Sequence, residues 1–375
     1  MKYRPFGMTG WSASALGVGT MRLPAGASLR DIDEPRAIRI IRKAIDGGVN
    51  YVDTAWDYHE GTSEFVVGKA LKDGYRGKVK LATKLPVWLV NDARDFDRLL
   101  NRQREKLQVE HVDLYLLHSL NRSQWKKVRS LGVLDWLERT RADGRIGLIG
   151  FSFHDDYALF QEVVDAWDKW TFCQIQYNYM DEQNQAGTRG LEYAAAKDLA
   201  VVIMEPLLGG YLVNPPDFIR QLWDTAEVKR TPAEWALQWL WNKPQVSVVL
   251  SGMNSLEQVE ENLSSADRSG VGILTPDEVA LVERVAREHP MPPIPCTRCH
   301  YCMPCSSGVN IPANLHAYNR GAMGGRMSLG LAEYLHLQTG IRASQCTQCL
   351  RCDEICPQKI KVSEWMVRID REFSS

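Results

Sequence analysis

The chain has 375 residues, with 45 Lys and Arg against 46 Asp and Glu, so its formal charge is -1. That balance gives no electrostatic case for nucleic acid or an anionic membrane surface as a partner, and no apolar run reaches bilayer-spanning length. The length allows one large domain with a full core plus a smaller appendage, and nine cysteines, eight of them beyond residue 295, mark where the appendage lies.

The N-terminal residues Met1–Phe6 lack the apolar stretch of a secretory signal, so a soluble, cytoplasmic protein in a reducing setting is expected. From Leu16 to about Gly252, short Val/Ile/Leu-rich runs alternate with segments of helical periodicity, the pattern of successive βα units on a parallel sheet. The predicted strands are Ala15–Gly19, Tyr51–Ala55, Lys78–Thr83, Val112–Leu117, Ile146–Phe151, Phe172–Gln176, Val201–Met204 and Val246–Leu250. The predicted helices are Pro35–Asp46, Ser63–Leu71, Ala93–Leu107, Leu134–Ala142, Asp156–Ala166, Leu191–Lys197, Pro232–Asn242 and Leu256–Ala266. Thr231-Pro232-Ala233-Glu234 carries an N-cap, a first-turn proline and a carboxylate three residues on. Eight such units are what a closed (β/α)8 TIM barrel requires. The runner-up, a doubly wound open sheet, lacks a Gly-x-Gly-x-x-Gly after the first strand.

A helix over Pro276–Glu288 closes the expected barrel domain, residues 1–288, and His289–Pro295 reads as a stiff proline-rich connector. Residues 296–375 form the appendage. The 40 residues between its two cysteine runs contain helical stretches near Pro312–Asn319 and Leu329–Leu337, so a small, mainly helical module is expected. The fold class is α/β, a barrel followed by that module.

Ionisable residues stand at the ends of three successive predicted strands: Asp53, Lys84 and His118, separated by 31 and 34 residues, one βα unit each. In a (β/α)8 barrel the C-terminal strand ends converge on one mouth, and Tyr58, five residues past Asp53, reaches the same place. Singly, a strand-end Asp caps helices, a strand-end Lys is solvated and a His after an apolar strand packs in the core. Together they are chemically coherent. A tyrosine is a poor acid at neutral pH until a cation lowers its pKa; Lys84 supplies the cation, Asp53 holds it charged, and His118 donates to a substrate oxygen.

The eight clustered cysteines fall in two runs, Cys296, Cys299, Cys302, Cys305 and Cys346, Cys349, Cys352, Cys356, the last followed by Pro357. A disulfide framework, a zinc site and inert cysteines are the competing readings. Disulfides need an oxidising compartment, and structural zinc generally uses two Cys pairs across a loop. Soft thiolates at three-residue spacing suit [4Fe-4S] clusters. The second run resembles the bacterial ferredoxin pattern. That resemblance implies that the fourth cysteine of each run crosses over: Cys296, Cys299, Cys302 and Cys356 on one cube, Cys346, Cys349, Cys352 and Cys305 on the other. Ser306 stands where a proline would be usual.

The barrel sequence resembles the aldo-keto reductases, on Asn50–Tyr58 with Ser63-Glu64, Ala82-Thr83-Lys84, Asp113–His118, Ile149–Ser152, Gln174–Asn178, Glu205-Pro206-Leu207, Ser251-Gly252-Met253 and Glu261-Asn262. With the appendage, it looks like that family's iron-sulfur branch. The resemblance implies a nicotinamide cofactor without a Rossmann domain, Tyr58 as proton donor, Lys84 and Asp53 as its tuning pair, and His118 orienting a small carbonyl or alcohol substrate. It further implies Ser152 and Gln174 on the nicotinamide carboxamide, and Glu261 with Asn262 at the adenine. Met204 stands where many members stack a tyrosine on the nicotinamide ring. Gly252 and Gln258 stand where members preferring NADPH hold the 2′-phosphate with Lys and Arg, so NADH is expected to serve at least as well as NADPH.

A nicotinamide gives two electrons at once whereas a cluster passes one, and a flavin normally mediates; no flavin signature is found. The clusters are expected to link the barrel to a redox partner protein. The alternative is an electron-transfer subunit whose barrel is a nucleotide-binding module. Trp56, Trp88 and Trp125 fall in expected loops, where each either lines a pocket or packs. The loops Leu120–Leu131 and Leu208–Lys229 are expected to shape that pocket.

Overall fold

In the computed structural model, which describes residues 1–26, 28–323 and 325–374, a hairpin of β1 (Tyr3–Pro5) and β2 (Ser12–Ser14) precedes the barrel. The barrel strands are β3 (Leu16–Gly19), β4 (Tyr51–Asp53), β5 (Lys80–Leu85), β6 (Val112–Leu120), β7 (Ile146–Phe153), β8 (Phe172–Gln176), β9 (Ala200–Met204) and β10 (Val246–Ser251). They close in chain order, β10 pairing with both β9 and β3, and every barrel pairing is parallel. The eight-stranded barrel expected from the βα repeat is therefore present. The strands are buried on both faces, which is why they read as near-continuous apolar runs rather than as an alternation.

Register decides which residues face the barrel interior. Asp53 pairs with Ala82, Ala82 with Leu114, Leu114 with Leu148 and Gly150 with Phe172. Side chains two apart on a strand share a face, so Ala82 and Lys84, then Leu114, Leu116 and His118, lie on the same side as Asp53. The interior cluster confirms the parity: Tyr51, Ala82, Leu114, Leu116, Phe172, Val202 and Val248 are buried together with Phe6. Apolar residues thus fill the lower interior while polar ones appear at the C-terminal strand ends. The loop after β1 brings Phe6, fully buried, into that cluster.

Strand ends moved by one to three residues. β6 and β7 run on to Leu120 and Phe153, and β4 stops at Asp53. Two expected loops contain helices, Arg122–Ser130 and Asp217–Trp223. The first carries a charge at four of nine positions, which hid its short apolar stripe of Trp125 and Val128.

The chain divides into two units: Met1–Leu207 with Trp223–Glu283, and Leu208–Leu222 with Arg284–Ser375. The division differs from the expected 1–288, 289–295 and 296–375. It cuts within the helix Pro276–Glu288, and the segment after β9 groups with the C-terminal residues. Within that second unit, Arg298 donates to the Gly209 carbonyl at 3.2 Å and the Tyr211 hydroxyl to the Pro290 carbonyl at 2.6 Å. Gly209 has φ +66°, and a side chain there would meet the Thr297 backbone at 2.5 Å. The unit's core joins Ile294, Ile311, Leu315, Tyr318, Met366, Ile369 and Phe373, drawn mainly from the helices Ile311–Met323 and Val362–Ser374. Among the described residues no helix is long and apolar enough to cross a membrane.

Candidate active site

Lys84 is fully buried, and its ammonium has three N–H groups to satisfy. They go to Asp53 Oδ1 at 2.5 Å, the Thr54 carbonyl at 2.9 Å and the Tyr58 hydroxyl at 3.2 Å. Burial pushes the Asp53 carboxyl up, and the Lys84 ammonium beside it pulls it back. The ammonium's donors are thereby satisfied, whereas Asp53 Oδ2 is buried with no hydrogen-bond partner among the described residues, so the carboxylate rests on its contact with Lys84. The four residues expected at one mouth are thus brought together: Tyr58 lies edge-on to His118 at 6.0 Å between ring centres. Burial holds the His118 imidazole well below its usual pKa, with Lys84 and His154 adding to the effect, so His118 is neutral at pH 7.

Tyr58 opens a short helical turn, Tyr58–Gly61, in which His59 and Glu60 adopt positive φ of 53° and 52°. His59 fixes that turn. Its Nε2 accepts from the Leu23 amide at 3.0 Å, so Nδ1 carries the proton and donates to the Leu29 carbonyl at 2.7 Å. Below it, Ser63 links the Thr20 and Thr54 hydroxyls at 2.9 and 3.0 Å. Glu64, wholly buried, accepts from Thr83 at 2.7 Å, Gln103 at 2.8 Å and Lys106 at 3.1 Å. Gln103 also donates to the Lys84 carbonyl at 2.9 Å. The network holds the backbone that presents Lys84. His59, Gln103 and Lys106 escaped the sequence reading because their partners are backbone groups and residues of other βα units.

The three tryptophans part company. Trp88 lies 5.1 Å from the His118 ring and belongs to the site. Trp56 stacks under the Lys106 ammonium at 3.9 Å. Trp125 is 1 % exposed on the helix Arg122–Ser130 and donates to Glu162, so it packs rather than lines a pocket.

Ser152, Gln174 and Met204 share the inward face of β7, β8 and β9. Ser152 Oγ accepts from the Ser119 amide at 2.7 Å, and Gln174 Nε2 reaches the Met204 sulfur at 3.8 Å. Gln174 Oε1 is buried with no hydrogen-bond partner among the described residues. A buried amide oxygen without a donor costs about 1–3 kcal/mol. A carboxamide N–H₂ would satisfy it, so the residues fit a nicotinamide. At the other end, Gly252 is exposed with Arg22 packed against it, and Arg22 pairs with Glu205 at 3.7 Å. Gln258 accepts from the Asn254 amide at 2.8 Å. Asn262 donates to Ser251 at 3.0 Å, while Glu261 is exposed and accepts from Thr231.

In the C-terminal unit, Cys305, Cys346, Cys349 and Cys352 line one pocket. Burial raises the Cys302 thiol, and the thiols of Cys299, Cys296, Cys356 and Cys352 raise it further. Among the described residues no three His, Cys, Asp or Glu side chains converge on a single ion position. Four of the cysteines instead line a common pocket, the kind of arrangement a cube needs because each thiolate meets a different iron. Cys349, the exposed one, receives the backbone N–H of Arg351 and lies 3.9 Å from the Ser306 hydroxyl.

The aldo/keto reductase family model matches residues 15–287, and a 4Fe-4S dicluster domain matches residues 295–361. The chain belongs to the aldo/keto reductase family. This aldo/keto reductase is 27 % identical to the Bacillus subtilis uncharacterized oxidoreductase YrpG, over 72 % of the chain and 92 % of the relative. It is 26 % identical to Arabidopsis thaliana L-galactose dehydrogenase, over 71 % and 88 %, and 24 % identical to the Escherichia coli NADH-specific methylglyoxal reductase, over 71 % and 93 %. Among solved structures it resembles the thermostable aldo-keto reductase Tm1743 at 25 % identity and TM-score 0.62, covering 76 % of this chain and all of that one. A Klebsiella pneumoniae aldo/keto reductase with NADP and acetate shares the fold, at TM-score 0.61 and 24 % identity over 76 % and 95 % of the two chains.

Proposed function

We propose that the barrel reduces a small carbonyl compound, or oxidises the matching alcohol, with a nicotinamide cofactor, and that two [4Fe-4S] clusters connect it to a redox partner protein in the cytoplasm. The observation that carries the reading is the Lys84 ammonium shared between Asp53 and Tyr58. The nicotinamide, when bound, supplies the hydride chemistry, and the clusters supply single-electron transfer.

The residues divide the remaining work. Tyr58 delivers a proton from its hydroxyl to the carbonyl oxygen in reduction and takes it back in oxidation. Lys84, donating to the Tyr58 oxygen, stabilises the phenolate left behind, and Asp53 keeps the ammonium in place. His118, neutral and fully buried, hydrogen-bonds the same substrate oxygen and fixes its distance from Tyr58. Gln174 and Ser152 orient the carboxamide, Met204 packs on the ring, and Glu261 and Asn262 lie at the adenine end. Neither Gly252 nor Gln258 offers a charge to a 2′-phosphate, and Arg22 is paired with Glu205, which supports NADH as the cofactor used at least as well as NADPH.

Cys296, Cys299, Cys302 and Cys356 would hold one cube, and Cys346, Cys349, Cys352 and Cys305 the other. The second set is supported by the cavity its four thiols line. Tyr58→Phe in the cluster-loaded protein tests the reading: carbonyl reduction disappears while cluster absorbance and NADH binding persist. Retained turnover would remove Tyr58 as the acid. Fluorescence titration that found NADPH bound far more tightly than NADH would overturn the cofactor preference.

A further inference from the structure

Asp57 immediately precedes Tyr58, and nothing in the acid, cation and histidine scheme uses it. Its Oδ1 is buried and makes no hydrogen bond among the described residues, and it stands 3.8 Å from His118 Nδ1. The side chain as a whole keeps 28 % of its exposure, so the buried oxygen borders an accessible space rather than the packed core. A carboxylate oxygen held out of water without a donor costs free energy, and a ligand that brings a donor recovers it.

A substrate oxygen held by both Tyr58 and His118 lies about 3 Å from each, which brings the atoms one carbon further on within reach of Asp57. We propose that Asp57 determines specificity: its buried oxygen accepts a hydrogen bond from a hydroxyl on the carbon next to the carbonyl, selecting α-hydroxy carbonyl compounds and the matching vicinal diols. The inference rests on the assignment of Tyr58 and His118 to the substrate oxygen. Asp57 binds and moves no proton. The proton of the reacting hydroxyl belongs to Tyr58 in both directions, and the neighbouring hydroxyl keeps its own.

Burial is the largest influence on the Asp57 carboxyl and raises it to about 6; its own backbone N–H, Lys84 and Lys106 lower it, and Glu64 raises it. Above that pH it is ionised, an acceptor with no proton of its own to offer. A hydroxyl satisfies such an oxygen. An analogue without the hydroxyl leaves it orphaned, and a site built to hydrogen-bond a substrate hydroxyl rejects the analogue lacking it. The inward face is polar on a second side as well: His154 lies two residues beyond Ser152 and Gln176 two beyond Gln174, both buried. Gln176 Nε2 donates to Asp181 at 3.1 Å, Gln185 Nε2 donates to Gln176 at 3.4 Å, and His154 Nδ1 meets Gln185 Oε1 at 3.1 Å. A carbonyl compound bearing hydroxyls matches these walls better than a wholly apolar one.

The test compares lactaldehyde with propanal, which differ by that one hydroxyl, in the cluster-loaded full chain with NADH at pH 8. The expected kcat/KM is about 10- to 100-fold higher for lactaldehyde, the worth of one hydrogen bond to a charged group. The ratio should fall to near 1 in Asp57→Ala and be partly restored in Asp57→Asn, whose amide oxygen still accepts. A ratio near 1 in the parent, or one unchanged in Asp57→Ala, overturns the proposal; the latter would assign the preference to another group such as Gln176. Tryptophan fluorescence confirms that the variants are folded. Dissociation constants of 1,2-propanediol and 1-propanol for the NADH complex, followed by cofactor fluorescence, read the same preference without turnover. Failure of both aldehydes to react would count against the enzymatic reading alone, and the diol-to-propanol ratio would still decide: tighter diol binding that is lost in Asp57→Ala supports the proposal, and equal binding overturns it.

Discussion

The Lys84 ammonium donates to the Tyr58 hydroxyl at 3.2 Å from a position where no water reaches it. In the proposed mechanism this contact would stabilise the phenolate left when Tyr58 gives up its proton, and general acid catalysis of this kind is worth about 10²–10⁴-fold. Tyr58→Phe should therefore lower kcat for carbonyl reduction by about that factor, with the dissociation constant for NADH, measured by fluorescence, changed less than about threefold.

Glu64 and Lys106 form a second buried pair, 0 % and 7 % exposed in their side chains. Removing one partner leaves the other charged and desolvated. Glu64→Ala should cost about 3–5 kcal/mol in urea unfolding of the holoprotein. It should also lower activity, because Gln103 and Thr83, which position the Lys84 backbone, lose their acceptor.

Asp57 gives a stability signature as well. Its carboxyl is raised from 3.8 to about 6, so the folded state prefers it protonated. The stability linked to that proton is fully present below pH 4 and is lost as pH rises through 6. Two units would amount to about 3 kcal/mol, and screening at a partly exposed side chain reduces this to about 1 kcal/mol. Thermal unfolding should find Asp57→Asn equal to the parent near pH 4 and more stable at pH 8.

Gln174 Oε1, lacking a donor in the folded chain, should gain one from the cofactor's carboxamide. Gln174→Ala should weaken NADH binding about tenfold, the equivalent of about 1.4 kcal/mol, and leave binding of AMP unchanged. Equal loss for both would place Gln174 outside the nicotinamide pocket.

Ser306 meets the Cys349 sulfur, and toward a ligating thiolate its hydroxyl is necessarily the donor. Hydrogen bonds to cluster sulfurs favour the reduced state. Ser306→Ala should lower the potential of one cluster in EPR-monitored titration and leave the other in place. Cluster removal should speed amide exchange across Leu208–Leu222, because that segment packs on Thr297 and Arg298, between Cys296 and Cys299, both proposed as ligands.

The barrel was legible in the sequence because doubly buried parallel strands leave continuous Val/Ile/Leu runs, and because Asp53, Lys84 and His118 recur at one position of the βα unit. The β1–β2 hairpin went unread: three-residue strands carry too little pattern, and Pro5 argues against one. The helix around Trp125 was hidden by its charges. The approach of Asp57 to His118 at 3.8 Å was invisible for a different reason, since the two residues stand 61 positions apart. The grouping of Leu208–Leu222 with the C-terminal residues likewise depends on contacts between distant segments.

The most direct test of hydride chemistry in the barrel is anaerobic turnover of the cluster-loaded protein with NADH carrying deuterium at C4 and glyceraldehyde as the carbonyl probe. Mass spectrometry of the alcohol should find one deuterium on the former carbonyl carbon, absent with Tyr58→Phe. NADH oxidised with the clusters bleached and no deuterium in the alcohol would contradict the account, and would make the barrel an electron-transfer module.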